Sequence, residues 1–410
     1  LKGDFNADQK KINILGEIPQ LTYGANNING GILKVTNIND KLEYNLNVAE
    51  LKSESFALNK IDVNGDIAEN IIRYNATTKD KKDVTQFLIA GQAKTIGELT
   101  EISLNPNGLK LNYSDWQVGE GNLIQIGSKG ILANNFRLSH NGSEILVQSE
   151  SNIPNSPLNV QIKDFEIETI TELIKKDSLL AQGTINGVAQ IRDLKNKMMF
   201  TSDLSFKDLF VYGSPVGNID AKIQNKSSEI INANVQLSGN NNDVKILGDY
   251  NTKASSFDLD LNVNRLEMKA AQGFSFNAIN KAEGFLSGIM KVQGTMEQPE
   301  IRGQLKFNDV GFGISEVGSS FKNINDQINF TSKGIELNKF RINDESGNTL
   351  TLNGEILTQT YRDFGFNLDV NARDFKVVDS EKNNDAIMYG ILAVNVNLQI
   401  RGNLDLPKVD

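Results

Sequence analysis

The 410-residue chain contains no cysteine, one histidine and one tryptophan. Without thiols it can build no disulfide framework, no thiolate zinc site and no cysteine nucleophile. The single imidazole, His140 beside Asn141-Gly142, excludes a metal site made of several histidines. It is also the one base open to serine-triad chemistry, and its setting reads as a hairpin turn instead. Proline is scarce, 7 against 34 glycines, which suits strands joined by tight turns. A basic excess is missing: 42 Lys and Arg stand against 51 Asp and Glu, a net charge of −9. A nucleic-acid partner needs a basic face to neutralise phosphates, so that class is excluded. The densest basic run, Lys79-Asp80-Lys81-Lys82-Asp83, is interleaved with acid and reads as a solvated turn. No apolar run approaches the roughly 20 residues of a membrane-crossing helix, and there is no signal peptide. The absence of thiols fits the cytosol and a bacterial envelope alike. The chain begins at Leu1 and stops at Asp410, just inside a repeated signature, and reads as an interior piece of a longer protein.

What is present is alternation of period two. Phe257, Leu259, Leu261 and Val263 interleave with Asp258, Asp260 and Asn262. Phe364, Phe366, Leu368 and Val370 do the same, as do Val394, Val396, Leu398 and Ile400. Tyr44, Leu46 and Val48 repeat the pattern near the start, and Met198, Phe200, Leu204 and Phe206 repeat it with a polar slip at Ser202. Successive strand side chains point to opposite faces, so each segment has one apolar and one wet face. Parallel sheets buried on both sides read instead as continuous apolar runs, so an antiparallel sheet is expected. Turns are expected at Val63-Asn64-Gly65-Asp66, Asn105-Pro106-Asn107-Gly108, His140-Asn141-Gly142-Ser143, Asp344-Glu345-Ser346-Gly347-Asn348 and Asn353-Gly354. Helix is scarce. The best candidate is 166–176, with Ile167, Ile170, Leu173 and Ile174 on one face; a shorter one surrounds 266–271.

The chain also repeats itself. Gly31-Ile32-Leu33-Lys34-Val35 returns as Gly288-Ile289-Met290-Lys291-Val292 and as Gly390-Ile391-Leu392-Ala393-Val394. A second anchor accompanies the later copies: Gly294 is followed by Pro299 and Ile301, and Gly402 by Pro407 and Val409. The later copies recur at about a hundred residues, far longer than one coil of a solenoid. The repeats divide the chain into 1–165, a second copy at 166–273 opening with the short helix, a third at 274–380 and a truncated fourth at 381–410. All four are expected in one continuous elongated domain. On the pattern alone, the apolar face could line a closed sandwich or barrel as well as an open trough.

Gly284-Phe285-Leu286-Ser287-Gly288, then Val292-Gln293-Gly294-Thr295, then Pro299-Glu300-Ile301-Arg302-Gly303-Gln304-Leu305 resembles the repeat signature of the TamB family. These are the translocation and assembly module proteins of the AsmA-like group. Arg401-Gly402, Leu404, Pro407 and Val409 give a shortened version. The motif covers the last third of the chain, and the strand-and-turn texture extends over most of it. The resemblance implies an all-β fold: a long, mostly antiparallel sheet curled lengthwise into an open hydrophobic trough (a β-taco), with short helices between repeats. It implies a parent anchored in the inner membrane, spanning the periplasm of a Gram-negative bacterium and paired with a BamA-family outer-membrane barrel. The anchor and the barrel-docking part would lie outside this stretch. The implied function is a bridge that carries phospholipid between the two membranes and supports outer-membrane protein assembly, without enzymatic activity or cofactor. The competing reading is an extracellular or cell-surface structural or adhesive protein.

Joined to the alternation, the resemblance assigns the lining of the trough, which would hold phospholipid acyl chains. The residues are Leu33, Val35, Leu46, Val48, Phe200, Leu204, Phe257, Leu259, Leu261, Val263, Leu305, Phe307, Phe366, Leu368, Val370, Val394, Val396 and Leu398. Other candidates have plainer explanations. Asp258 and Asp260 share a strand face, but nothing converges on them for acid–base work. Asn343, Asp344, Glu345 and Asn348 lack EF-hand spacing and read as a turn. Gly119-Glu120-Gly121 and Glu283-Gly284 lack the lysine and helix of a phosphate loop. Trp116, between Asp115 and Gln117, is expected at a trough edge, at a partner contact or half-buried in a strand. Aromatics make up 7% of the chain, with one tryptophan, a poor platform for a carbohydrate enzyme using paired carboxylates.

Overall fold

The computed structural model describes residues 1–6, 11–38, 40–53, 56–171, 180–195, 197–380, 389–404 and 406–409. They form 29 strands and two short helices, and the strands belong to one antiparallel sheet. Two units are described separately, Leu1–Leu204 and Ser205–Asp410. No helix among the described residues is long and apolar enough to cross a membrane.

The first unit opens with β1 (Lys2–Asn6), β2 (Lys11–Tyr23), β3 (Asn26–Ile38), β4 (Lys41–Lys52), β5 (Ala57–Ala68), β6 (Ile71–Lys79), β7 (Thr85–Ile96) and β8 (Leu99–Leu111). Each pairs with the next. Shorter strands follow: β9 (Ser114–Val118), β10 (Leu123–Gly127), β11 (Gly130–Asn134), β12 (Phe136–His140) and β13 (Ser143–Ser149). β8 pairs with β9 along one half and β10 along the other. β9 passes the ladder on to β12 and β13. Then come β14 (Leu158–Glu166), helix α1 (Glu168–Thr171) and β15 (Ala181–Arg192). The helix expected over 166–176 is thus seen as a single turn, and residues 172–176 lie outside the described ones.

β16 (Met199–Val211) leads into the second unit. There β17 (Ser214–Asn225), β18 (Ile230–Gly239), β19 (Asn242–Asn251) and β20 (Ser256–Glu267) run into helix α2 (Met268–Gly273), close to the second expected helix. β21 (Ile279–Thr295) and β22 (Pro299–Ile314) follow. β22 is split on its far side like β8, between β23 (Ser320–Ile324) and β24 (Gln327–Thr331). β25 (Gly334–Asp344), β26 (Thr349–Leu357), β27 (Gly365–Ser380), β28 (Gly390–Asn403) and β29 (Leu406–Val409) complete it.

The register explains the sequence repeats. Gly294 faces Pro299 across the β21–β22 hairpin, and Gly402 faces Pro407 across β28–β29. Proline has no N–H to donate and glycine no side chain to clash, so the pair closes a hairpin mouth. Three of the expected turns are not turns. Asn64-Gly65 lies inside β5, Asn353-Gly354 inside β26, and Asn105–Gly108 is a bulge within β8, opposite Ala90. Glycine serves packing there. The Tyr44 ring crosses Gly65, and its hydroxyl donates to the Arg73 carbonyl at 2.9 Å. Any β-carbon on Gly65 would collide with that carbonyl.

Candidate functional site

Cross-strand partners share a face, so the register shows whether the apolar residues form a continuous surface. They do in each unit. In the first, Leu33 faces Leu46, Leu46 faces Val63, Val63 faces Ala76, Ala76 faces Ile89, Ile89 faces Leu109 and Leu109 faces Trp116. In the second, one row runs Ile219, Leu237, Val244, Val263, Gly288, Leu305, Ile328, Leu337, Gly354, Leu368, Ile400 and Val409. The expected lining residues on β3, β4, β20, β22, β27 and β28 fall on these faces. Leu33, Val35, Leu46, Phe200, Leu204, Phe257, Leu259, Leu261, Leu305, Phe307, Phe366, Val394, Val396 and Leu398 are half-buried. Val48, Val263, Leu368 and Val370 are buried.

Alternation alone does not reveal what bends these strands. At Asp164, Asp208, Asp309, Lys339 and Asp374 the backbone takes a left-handed φ of 44°, 50°, 47°, 48° and 51°. Three of these sites show the same irregularity: Lys163 and Asp164 oppose Asn186, Asn338 and Lys339 oppose Asn353, and Arg373 and Asp374 oppose Asn395. Two residues against one is a β-bulge, which bends its strand. The bulge takes one N–H out of the ladder, and an asparagine side chain receives it. Asp164 donates to Asn186 Oδ1 at 2.9 Å, Asp208 to Asn218 at 3.0 Å, Asp309 to Asn325 at 2.9 Å, Lys339 to Asn353 at 3.2 Å and Asp374 to Asn395 at 2.9 Å. The residue after each bulge turns into the core: Phe165, Leu209, Val310, Phe340 and Phe375 are 4%, 7%, 0%, 6% and 2% exposed. These five asparagines therefore have a structural post.

In the second unit the bulges divide the apolar face. At or beyond them lie the buried residues Met268, Ala282, Val310, Ile324, Phe340 and Phe375, and Val263, Leu337, Leu368 and Val370, just short of them, are buried too. Helix α2 packs there, and Phe321 stacks on Phe375 with centroids 5.7 Å apart and planes within 4°. The loop 315–319 ties onto β27: Ser319 Oγ donates to the Val377 carbonyl at 2.6 Å and the Asp379 amide to Val317 at 3.3 Å. Toward the opposite strand ends the same face is only half-buried at Phe257, Met290, Ile301, Phe330, Ile335 and Phe366. One margin is closed and the other open.

The remaining candidates resolve into structural roles. Lys291 Nζ bridges Asp258 at 2.7 Å and Asp260 at 3.2 Å on the wet face. Hydrogen bonds from Lys291 and Gln293 hold the Asp258 carboxyl below its ordinary pKa, as befits a permanently ionised surface group. Asp344 opens the expected turn and is buried. Its carboxylate accepts the Asn348 amide at 2.8 Å, the Asn348 side chain at 3.1 Å and the Lys376 amide at 3.0 Å. Burial pushes its pKa up, and these donors outweigh that and hold it low. His140 ends β12 at the expected turn, its Nδ1 2.8 Å from the Asp115 carbonyl. Trp116 is core, neither edge nor half-buried. It is 3% exposed, with Phe165 at 5.8 Å and His140 at 5.6 Å between ring centroids. No group of three or more acidic or histidine side chains among the described residues is placed to hold a metal ion.

An antiparallel sheet with one wet face and one incompletely covered apolar face is the architecture of a β-groove protein. The TamB resemblance is shown at the C-terminal end: residues 337–410, from β25 through the second Gly–Pro hairpin, match the family model of the TamB C-terminal domain. That family is concerned with outer-membrane protein assembly and lipid transport in the Gram-negative envelope. No curated protein and no solved structure gives a match.

Proposed function

We propose that this chain is a stretch of a TamB-type bridge across the periplasm, whose apolar sheet face carries phospholipid between inner and outer membranes and supports outer-membrane protein assembly. The parent would be anchored in the inner membrane beyond this stretch and would work with a BamA-family barrel. The observation that carries the reading is the half-buried state of the apolar face along successive strands. A closed core would hide Leu259, Phe307 and Val396 completely, whereas here each keeps apolar surface in water. Covering such surface is worth about 25 cal/mol per Å², or roughly 0.8 kcal/mol per buried methylene. An acyl chain is therefore held well in sum. The named lining residues are all leucine, valine or phenylalanine, so no single one of them is a deep trap, and a chain can move along them in small steps. The reading needs no catalytic residue and no cofactor.

Photoreactive residues placed at Leu259 and Phe307, with Asp260 on the wet face as control, test it in cells. The expected result is phospholipid adducts at Leu259 and Phe307 several-fold above Asp260. Equal labelling at all three positions, or none at the two apolar ones, refutes lipid carriage. Solvent extraction of the purified chain should also release phospholipid, which a surface adhesin would not carry.

A further inference from the structure

We infer that phospholipid lies in the second unit along the strands, tails toward the bulge row and phosphate at the opposite, open margin, beside Lys253, Lys333 and Arg362. This rests on the lipid reading above and adds an orientation and a headgroup site to it.

Two independent features point the same way. The first is the burial gradient. Toward the bulges the apolar face is sealed by α2, by the Phe321–Phe375 stack and by the loop 315–319. A chain terminus, wholly apolar, fits that end, while a charged headgroup would lose its water there. At the other end Phe257 and Phe366 are half-covered and the turns 252–255, 296–298 and 332–333 are exposed.

The second is charge. Antiparallel strands place the turns 226–229, 252–255, 296–298, 332–333 and 358–364 at the open margin. These turns carry Lys226, Lys253, Lys333 and Arg362, with Glu229, Glu297 and Asp363 among them. Helix α2 and the turns 212–213, 240–241, 274–278, 315–319 and 345–348, at the closed margin, carry one cation, Lys269, with Glu316 and Glu345. On strands near that margin Lys376 is paired with Asp379 at 3.0 Å, and Lys281 stands 3.9 Å from Glu345 while donating to Ser320 Oγ at 3.4 Å. At the open margin Lys226 is paired with Asp249 at 2.8 Å, but Lys253 and Lys333 are 78% and 70% exposed, and their nearest carboxylates stand off at 4.0 and 3.7 Å. Long, exposed pairs of this kind are weak, so these ammonium groups can turn to a phosphate at little cost. Mixed signs along the margin also suit a headgroup that carries an ammonium beside its phosphate.

Two photoreactive phosphatidylcholines, one with a diazirine at the acyl terminus and one with it in the headgroup, each in phosphatidylcholine vesicles, provide the test on the full chain. Adducts would be mapped by peptide mass spectrometry. The tail label should favour peptides containing Val263, Phe340 and Phe375 several-fold, and the headgroup label those spanning 252–255 and 332–333. Reversed or uniform labelling overturns the orientation while leaving lipid carriage intact. Failure of both labels to attach overturns lipid carriage itself. In a second arm, Lys253→Gln, Lys333→Gln and Arg362→Gln combined should lower phospholipid uptake several-fold and leave neutral diacylglycerol uptake unchanged. Equal loss of both lipids, or loss of neither, counts against the phosphate site.

Discussion

At the scale of single residues, the most constrained group is the Asp344 carboxylate. It is 1% exposed and holds the start of the β25–β26 turn to the backbone of β27. Removing a buried acceptor leaves its donors unpaired, at about 1–3 kcal/mol. Asp344→Ala is therefore expected to destabilise the chain by roughly that amount in urea denaturation, and Asp344→Asn by less. The pH dependence has a definite sign. The folded carboxyl titrates below its ordinary range, so its contribution is present above the unfolded pKa and disappears as pH falls toward the folded value. Stability measured from pH 6 down to pH 3 should fall less steeply in Asp344→Asn than in the parent. Identical acid slopes would mean that this carboxylate adds nothing.

At the scale of elements, the bulge is the unit that turns a flat ribbon into a groove wall. Asp374 sits at a φ of 51°, its amide bonded to Asn395. Glycine takes that conformation freely, whereas a β-branched residue resists it at about 1–3 kcal/mol. Asp374→Gly should therefore be near neutral in thermal unfolding and Asp374→Ile destabilising by about that much. The reverse ranking would show that the left-handed conformation is not what the position requires. Strand faces were legible in the sequence because alternation directly encodes which side is buried, and Phe257 to Val263 needed nothing more. Bulges were harder to see. Arg373-Asp374-Phe375 and Lys163-Asp164-Phe165 look like a lapse in alternation, yet two polar residues ahead of a large apolar one is the very signal of two residues facing one. Asn353-Gly354 misled in the opposite sense. It has turn composition, but asparagine there receives the bulge amide of Lys339 and glycine leaves room beside the Asn367 carbonyl. Local composition cannot separate the two uses because both exploit the same chemistry. The closed and open margins were not legible either, since α2, Phe321 and Phe375 meet only once the register is known.

At the scale of the whole molecule, the pairing pattern bears on stability. The described ladders join strands that are neighbours in the chain or one or two hairpins apart. A chain built this way approximates a one-dimensional array, in which each element depends mainly on those beside it. Cooperativity then extends over a limited number of strands, and one unfolding transition for all 410 residues is not expected. The lone tryptophan makes this measurable. Trp116 is buried in the first unit against Leu109, Val118 and Phe165, so its fluorescence reports that unit, whereas far-ultraviolet circular dichroism reports every strand. If local stabilities differ by about 1–2 kcal/mol and the urea slope is about 2 kcal/mol per molar, the two midpoints should separate by about 0.5–1 M. Coincident curves with equal slopes would show the array to be coupled end to end. On the proposal of lipid carriage a stepwise array suits the path, since a face that accepts an acyl chain at any point would benefit from strands that shift a few at a time without loosening the rest.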